Sequence, residues 1–544
     1  MRHEKLSRVA RYKYYSPLCV IVLAVATPAA ANVTLSNKPT QNMSCAGGVC
    51  TPTDKTAVLN VKSLQQMLAT SDVTINTGSG NLAKQVKNIV VASTLTWASS
   101  NTLALDAYAS VEVNKTMAIT GSGGLSLVYN DGSTLGAFSV GPAGRVYFWD
   151  LNSPLNIQGT PYTLVNNIST LASDVAANPS GHFALANGYN ASSDGTYAQA
   201  PVPTALTGSF EGLGNQIYSL AIDDSRAHAV FYDGLFEHIG VGGEVRNLGL
   251  TQVNISGSGQ LHVQGALAGL NEGVVRNVHS TGQVQYAGVD QSLMGGLVGE
   301  SSGLITGSWS GATVGGDFTG GLVFWNHGGT ITHSYATGPV SGLHEAGGLV
   351  GDNDGGTIQY SFASGAAQGS DNVDVGGLAA INGGVINQSF ATGAASAGDA
   401  VVGGLVGVND GSGAITQSYA TGSATGGTNA YAGGLVGSLQ GSATIGQSYS
   451  TGTVSGGSGA LVGGLLGADL TAPGNIRTAY WDTDTSGVSN RHQGAGNLPD
   501  DPGIKPLTSS QLQSALPHGF SVKVWGQESA INGGFPYLLH APPQ

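Results

Sequence analysis

The stretch Gly347-Gly348-Leu349-Val350-Gly351, followed by Ile358 and the pair Ser361-Phe362, decides the fold because close copies of it recur along the chain. A Gly-Gly-Leu-Val-Gly-like string begins at Gly295 and six more times, at steps of 25, 27, 29, 27, 30 and 30 residues (Gly320, Gly347, Gly376, Gly403, Gly433 and Gly463). Repeats of this length are typical of solenoids, in which each unit buries its apolar side chains only against its neighbours.

Each repeat holds two or three short strands separated by Gly and Asn/Asp turns. Stacking the units in parallel, about 4.8 Å apart, buries equivalent apolar residues on one another. Ordinary parallel sheets need helical crossovers, and no helical pattern of that length separates these strands. We therefore predict an all-β, right-handed parallel β-helix with irregular N-terminal coils and a C-terminal cap. Equivalent leucines should form one interior line (Leu297, Leu322, Leu349, Leu378, Leu405, Leu435 and Leu465).

Composition agrees with a β-rich chain. Of 544 residues, 86 are Gly and only 51 are charged, which disfavours helical bundles because Gly weakens helices.

Residues 1–31 resemble a secretory signal peptide: five basic residues, an apolar run from Leu18 to Ala26, and an Ala-rich ending that predicts cleavage after Ala31. The apolar run is too short to span a membrane, so we expect a secreted or cell-surface protein whose mature chain has no membrane span.

The organisation predicted from these patterns has four parts: a signal peptide (1–31), irregular β-coils with an N-terminal cap (32–230), the repeat β-helix (231–485) and a C-terminal capping tail (486–544). After signal removal, 14 basic and 31 acidic residues remain, a balance that disfavours nucleic-acid and anionic-lipid partners. Cys45 and Cys50 would then lie in an oxidising compartment, where a small-loop disulfide is the favoured interpretation.

The parity of the strand from Ser334 to Val340 predicts which side chains face outward. With Val340 inside, Ser334 and Ala336 also point inward and Tyr335 points outward. The equivalent aromatics would then form an external ladder that faces ligands (Tyr335, Phe362, Phe390, Tyr419 and Tyr449). A slip of one residue inverts this assignment, and aromatic residues often belong to a core, so burial of the ladder remains the alternative.

The unit Gly-Gly-Leu-Val-Gly…Ile…Ser-Tyr-Ala-Thr-Gly resembles the GLUG repeat, and the ending from Tyr480 to Gly487 resembles the way GLUG arrays finish. The upstream stretch from Leu103 to Asn152 is similar to filamentous-haemagglutinin-type exoproteins. The resemblance implies a secreted β-helical adhesin whose partners are host or cell-surface glycans or proteins, with an outer-membrane export partner. GLUG repeats also occur in immunoglobulin-cleaving metallopeptidases, but His344-Glu345 lacks the second histidine of a zinc-protease His-Glu-x-x-His motif.

A glycan-active enzyme is the main alternative function, because parallel β-helices host such enzymes. Glycoside hydrolysis uses two carboxylates at a defined separation, and acidic pairs occur at Asp352/Asp354, Asp371/Asp374 and Asp482/Asp484. Each pair lies beside Gly or Asn, where Asp commonly caps a turn. Calcium at Asp352/Asp354 and a metal at His327, His333 and His344 are weaker alternatives.

We therefore expect a non-enzymatic adhesin with no catalytic residues, metal or cofactor. A glycan-active hydrolase or lyase and a passive matrix component remain the alternatives. Carboxylates that converge across coils into a cleft would favour the enzyme, whereas an acid-poor face with stacked aromatics would favour binding.

Overall fold

The computed structural model describes residues 31–541 apart from 79, 81–84, 133–135, 227–229, 259–260 and 287–290. The chain is nearly all β, with 48% strand and 6% helix, and it forms a parallel β-solenoid of about 15 turns. The predicted fold class is confirmed. The predicted signal peptide lies outside the described residues except for Ala31, which begins the first strand, Ala31–Ser36.

Each full coil of the repeat region contains up to five short strands, which stack on their equivalents in the next coil as columns 1 to 5. The Gly-Gly turn separates column 1 from column 2. Column 1 contains the strands that lead into this turn, and all but the first end in its first Gly (Phe231–Asp233, His262–Gly265, Leu293–Gly295, Asp374–Gly376, Val401–Gly403, Tyr431–Gly433 and Leu461–Gly463). Column 2 is a nine-stranded sheet (Phe236–Ile239, Ala268–Asn271, Val298–Ser301, Val323–Asn326, Val350–Asn353, Ala379–Asn382, Val406–Asn409, Val436–Leu439 and Leu466–Asp469).

Columns 3 and 4 hold the Ile and Ser-aromatic parts of the repeat. Column 3 starts upstream of the repeats (Thr160–Val165, His182–Leu185, Ser209–Glu211, Glu244–Arg246, Val274–Arg276, Leu304–Thr306, Thr330–Thr332, Thr357–Gln359, Val385–Asn387 and Ala414–Thr416). Column 4 has mainly two-residue strands (Tyr189–Asn190, Gln216–Tyr218, Trp309–Ser310, Tyr335–Ala336, Phe362–Ala363, Phe390–Ala391 and Tyr419–Ala420). In the last coils, Thr444–Ser450 and Ile476–Asp482 join the two columns.

Column 5 closes each coil and in places continues into its neighbours. Its separate strands are short (Thr196–Tyr197, Ala221–Asp224, Ala367–Gly369, Ala395–Ser396, Ala424–Thr425 and Val454–Ser455). Two longer strands run from column 4 into column 5 (Gly249–Gly257 and His279–Tyr286). Two others run from column 5 into column 1 of the next coil (Thr313–Gly320 and Val340–Gly347).

The predicted leucine line runs through the interior. All seven leucines are fully buried. The backbone N–H of each of the first six donates to the carbonyl of the equivalent leucine in the next coil, at N···O distances of 2.7–2.9 Å, and that of Leu465 donates to the Gly494 carbonyl. Because neighbouring coils are one strand spacing apart, each leucine packs on its equivalents above and below. The repeat therefore builds one continuous core rather than separate ones.

Two buried polar ladders hold the corners of the coils. At the end of column 2, the side-chain amide of each asparagine donates to the next one at 2.7 Å (Asn326, Asn353, Asn382 and Asn409). At the corner before column 4, each serine backbone N–H donates to the next serine Oγ at 3.1–3.3 Å (Ser308, Ser334, Ser361, Ser389, Ser418 and Ser448). Apart from Asn326 Oδ1, which has no partner among the described residues, both ladders satisfy polar groups that the coil interior removes from water.

The N-terminal coils have their own apolar core, built from residues between Val33 and Leu213. A five-stranded sheet and a three-stranded sheet form two of its sides (Phe138–Val140, Val111–Val113, Val86–Val91, Ala31–Ser36 and Ala57–Asn60; Arg145–Phe148, Thr116–Ile119 and Leu95–Trp97). The third side begins with a hairpin, in which a disulfide joins Cys45 to Cys50 (Met43–Ala46, Val49–Pro52, Val73–Asn76, Leu103–Asp106, Leu125–Val128 and Leu155–Ile157).

Helices are short and few among the described residues. Helix α1 spans Val61–Leu68, α2 spans Ile168–Ala177 and α3 spans Ser509–Ser514, and two 3-10 turns lie at Ala191–Asp194 and Asn532–Gly534. In the described part of the chain, no helix has the length and apolar character needed to cross a membrane.

The C-terminal segment begins after the last repeat and folds back along the coils. Strand Ile504–Leu507 pairs with Ile476–Asp482 and so extends the solenoid by one strand. The chain then continues through α3 to a two-stranded antiparallel pair, Trp525–Gly526 with Tyr537–Leu538. This segment places its aromatic side chains beside column 4.

Candidate functional site

Aromatic rings of column 4 form a continuous stack outside the coil interior. Neighbouring centroids lie 4.7–5.8 Å apart and ring planes differ by 3–9° (His279, Trp309, Tyr335, Phe362, Phe390, Tyr419 and Tyr449). In-register parallel pairing causes this, because it places equivalent side chains above one another. Val340, Ser334 and Ala336 are buried while Tyr335 is half-buried, in agreement with the predicted parity.

The C-terminal segment covers most of this stack. Four of the five predicted ladder rings are exposed by 9% or less (Phe362, Phe390, Tyr419 and Tyr449). They pack with Phe520, Trp525 and Leu538 in a cluster separate from the coil core. The ring of Trp525 lies 6.1 Å from that of Tyr419 and 5.8 Å from that of Tyr449. The predicted ligand-facing role is therefore wrong for these four rings, because a distant part of the chain buries them.

The other end of the stack remains open. His279, Trp309 and Tyr335, which we call the ring platform, are half-buried and line a groove of about 470 Å³. Tyr335 is thus the one predicted ladder residue that keeps an exposed surface. The other walls of the groove contribute polar side chains from both the N-terminal coils and the repeats (Arg145, Gln216, Asn247 and Asn277).

The ring platform presents the exposed parts of its three stacked rings beside amide groups. Burial lowers the pKa of His279, so its imidazole is neutral at physiological pH, and burial raises the pKa of the Tyr335 hydroxyl. Asn277 donates from its amide to Asn247 Oδ1 at 3.2 Å, which fixes the orientation of both amides. Flat rings flanked by oriented amides suit a ligand with an apolar ring face and hydroxyl groups at its edge.

A second groove, the corner groove, follows the Gly-Gly turns between columns 1 and 2. Column 1 contributes one outward residue per coil, in register (Tyr232, Val263, Leu293, Phe318, Glu345, Asp374, Val401, Tyr431 and Leu461). Column 2 contributes the facing row (Leu270, Glu300, Trp325, Asp352, Ile381, Val408, Ser438 and Ala468). The rows approach closely at Gly299, where an added Cβ would lie 2.7 Å from Val263 Cγ1.

One end of the corner groove is an aromatic cavity of about 460 Å³. Its walls include Tyr232, Phe318 and Trp325, and the Tyr232 hydroxyl donates to Glu300 Oε2 at 3.3 Å. Burial raises the pKa of Glu300. The cavity therefore combines ring faces with a single carboxyl group.

Immediately beyond this cavity the groove becomes acidic. Glu345 and Asp374 are register partners on adjacent strands, and Asp352 faces them from column 2. Burial, with repulsion from Asp352 and Asp374, raises the pKa of Glu345 to about 8. Burial, followed by repulsion from Asp354 and Asp410, raises the pKa of Asp352 to about 6, and burial, then Asp410, raises that of Asp374 to about 6. Glu345 Oε2 is buried without a hydrogen-bond partner among the described residues.

The structure separates two of the three acidic pairs singled out from the sequence and keeps the third, Asp482/Asp484, together. Asp352 and Asp374 face the corner groove, whereas Asp354 Oδ2 accepts a hydrogen bond from His327 Nδ1 at 2.8 Å. Asp371 Oδ1 accepts the backbone N–H of residue 399 at 3.1 Å. The pair at 482 and 484 caps a turn and binds Ser509 at the start of α3, through its hydroxyl and its backbone N–H.

The three histidines considered as metal ligands contact different partners. The ring of His333 packs against Tyr360 at 4.9 Å, that of His344 against Phe318 at 5.0 Å, and that of His327 against Trp325 at 4.9 Å. The structure therefore assigns each of them a separate aromatic neighbour.

A buried ionic cluster lies at the N-terminal end of the repeats. Asp224, Asp233 and His262 are fully buried, with ligand atoms within 4.8 Å of one another. Arg226 donates to both oxygens of Asp224 at 2.5–3.0 Å, and His262 Nδ1 lies 3.3 Å from Asp233 Oδ2. Because a guanidinium and an imidazole already balance the two carboxylates, we interpret this cluster as a structural ion network.

The corner groove was missed by the sequence reasoning, although a signal for it exists. Its column 1 residues stand two positions before each Gly-Gly pair, where strand alternation points them outward, as in Phe318-Thr319-Gly320 and Glu345-Ala346-Gly347. The residue at this position varies from apolar to acidic between repeats while its surroundings stay constant. A search for such variable outward positions would have found the groove.

Comparison with known proteins adds limited information. The chain matches no model of a protein family. Halomucin from Haloquadratum walsbyi (strain DSM 16790 / HBSQ001) is 38% identical over 98 residues, which are 18% of this chain and 1% of the length of halomucin. A candidate immunoglobulin A1 protease from Bacteroides ovatus is a structural match with 17% identity and a TM-score of 0.31, covering 70% of this chain and 92% of that chain. A similarity this weak carries no argument about activity.

Proposed function

We propose that this protein is an extracellular adhesin-like binding protein that holds a glycan on the ring platform. The observation that carries the proposal is the open end of the ring stack. Trp309 and Tyr335 lie in parallel planes, 3° apart, with 5.8 Å between centroids, and both line the groove with His279. A rigid array of this kind offers large contact area at a small loss of conformational entropy.

The surroundings of the platform favour a neutral glycan over an apolar peptide. Amide groups of Gln216, Asn247 and Asn277 edge the groove, and Arg145 supplies its one guanidinium. Amides both donate and accept hydrogen bonds, which matches sugar hydroxyl groups. The predicted secretion is compatible with ligands on a cell surface.

The proposal is tested with the purified mature chain on a glycan array, followed by titration of the best ligand. Trp309→Ala should weaken binding at least tenfold. Trp149→Ala is the matched control, since Trp149 is 72% exposed and lies outside the groove. Equal affinity of the Trp309→Ala and wild-type proteins, or no glycan bound by the wild type, would contradict the proposal.

A glycan-active enzyme is the second candidate, and one observation favours it. Glu345 and Asp352 from one coil and Asp374 from the next converge on the corner groove, as an enzyme would require. Adjacent strands lie about 4.8 Å apart, close to the ~5–5.5 Å between the carboxyl groups of retaining glycosidases. With a pKa of about 8, Glu345 is protonated near neutral pH and could serve as the acid.

In that mechanism, Asp374 would bond to the anomeric carbon as the glycosidic C–O bond breaks, and the Glu345 proton would pass to the leaving oxygen. Water would then attack the same carbon, give its proton to Glu345 and release Asp374. Release of reducing ends by the wild type, lost in Glu345→Gln, would establish this candidate. Intact oligosaccharides after prolonged incubation would exclude it for the sugars tested.

A further inference from the structure

The corner groove differs in chemistry from the ring platform, which points to a different ligand. Its aromatic cavity leads directly into the carboxyl groups, since Phe318 and Glu345 are register partners in column 1. Trp325 and Asp352 are register partners in column 2. A single extended molecule can therefore touch ring faces and carboxylates in consecutive coils.

Among the described residues, no Lys or Arg forms an ion pair with these carboxylates. The sequence contains no Lys or Arg between Arg276 and Arg477. Of the histidines beside the groove, His327 contacts Asp354 and His344 packs on one side of the Phe318 ring. Glu300, Glu345, Asp352 and Asp374 thus share a partly desolvated groove in which the described residues supply no Lys or Arg partner. A ligand that carries its own positive charges would relieve the repulsion among the ionised carboxylates and favour release of the Glu345 proton, because ion pairing is stronger where water is excluded.

We propose that the corner groove binds an oligosaccharide of amino sugars with free amines, whose rings lie on Trp325 and Phe318 while its ammonium groups pair with Glu345, Asp352 and Asp374. Flat ring faces favour pyranose rings and also attract neighbouring cations. Glu345 and Asp374 follow one another at one coil per residue, about 4.8 Å, and Asp352 faces Glu345 from the same coil. Same-face side chains of an extended peptide repeat at about 6.7 Å, so a basic peptide fits this row less well.

Three oligomers of equal length distinguish the possible ligands in calorimetric titrations of the mature chain. Glucosamine hexamer should bind, and N-acetylglucosamine hexamer should bind at least tenfold more weakly because acetylation removes each charge. Hexalysine tests whether charge alone suffices. Binding of the acetylated hexamer as tight as that of the free amine, or of hexalysine as tight as glucosamine hexamer, would overturn the proposal.

Single substitutions inside and outside the corner groove test whether the oligosaccharide binds there. Trp325→Ala and the near-isosteric Glu345→Gln should each weaken glucosamine hexamer binding about tenfold. Asp399→Asn, which removes the same charge from an exposed loop, should leave it unchanged. Unaltered binding by both groove variants, or an equal loss in Asp399→Asn, would overturn the assignment. Trp309→Ala should bind as the wild type does, so failure of the platform proposal would not affect this one.

Discussion

The buried side chain of Asn382 makes three hydrogen bonds that stabilise the coils. Its amide donates to Asn409 Oδ1 and to the carbonyl of Gly384, and its Oδ1 accepts from Asn353. Asn382→Ala should therefore lower the free energy of unfolding by about 2–4 kcal/mol, because it leaves buried partners on both sides unsatisfied. Asn387→Ala, on the half-buried outer face of column 3, should cost under about 1 kcal/mol. Urea unfolding of both variants tests this, and equal losses would contradict the role of the ladder.

Glu345 should make stability fall as pH rises. Its pKa is raised from 4.5 to about 8 on folding, so the folded chain binds this proton more tightly than the unfolded chain does. Stability from this group is present at acid pH and is lost progressively between about pH 4.5 and 8. Glu345→Gln should flatten the dependence and be more stable than the wild type at pH 8.5. Urea midpoints at pH 5 and 8.5 measure this, and parallel curves would contradict the raised pKa.

His262 should also make the stability of the fold decrease as pH rises, for a different reason. Burial lowers its pKa, but contacts with Asp233, the Arg226 carbonyl and Asp224 outweigh burial and raise it overall. The stabilisation is thus complete below the unfolded pKa and is lost as pH rises through the folded one. His262→Asn should remove this component. The pKa of His262 is measured from the chemical shifts of its imidazole carbons in an NMR titration. A value below 6.5 would contradict this assignment.

At the scale of elements, we expect that removal of the C-terminal segment leaves the coils folded and exposes the column 4 rings. A chain ending at residue 507 keeps every repeat column but loses Phe520, Trp525 and Leu538, which bury the rings of column 4. We expect far-UV circular dichroism close to that of the full chain, together with strong binding of a hydrophobic dye and self-association, because a long apolar patch becomes exposed. Trp525→Ala should show a weaker form of the same effect, and Trp149→Ala none.

Size-exclusion chromatography and dye fluorescence measure the exposure. A truncated chain that stays monomeric and binds no more dye than the full chain would show that the stack needs no cover. Loss of the β signal would show instead that the segment is essential to the coils.

Elements were predictable from sequence to different degrees. Periodicity alone placed Leu405 inside and Tyr335 outside the coil, because strand alternation and in-register stacking leave little choice. The burial of Tyr419 was not predictable, since Trp525 lies more than a hundred residues further along and belongs to no repeat. The corner before column 4 was also unforeseen: Gln417 adopts φ 51° there, a left-handed conformation that its residue type does not suggest.

At the scale of the molecule, damage to one coil should stay local. Solenoid stability is approximately the sum of the units and their nearest-neighbour interfaces. Leu405→Asp buries a carboxylate in the leucine line and should destabilise its coil and both neighbours by more than about 4 kcal/mol. The N-terminal core, built from residues between Val33 and Leu213, should remain protected.

Hydrogen exchange resolved by peptide tests this locality. Amides of residues 378–465 should lose protection in Leu405→Asp while those of residues 86–157 retain it. Leu470→Asp is the control, because Leu470 is 55% exposed beside the same coils. Uniform loss along the whole chain would indicate a single cooperative unit.

The ring stack also gives the protein an intrinsic spectroscopic signal. Six tyrosine, phenylalanine and tryptophan rings from Trp309 to Tyr449 are held nearly parallel at about one strand spacing, with Trp525 beside the last two. Chromophores fixed this closely couple their transitions, and light absorbed by Tyr419 or Tyr449 can be emitted by Trp525. We therefore expect a strong near-ultraviolet circular dichroism band that is lost when the C-terminal segment dissociates from the coils. This band shows, without any label, whether the stack is covered.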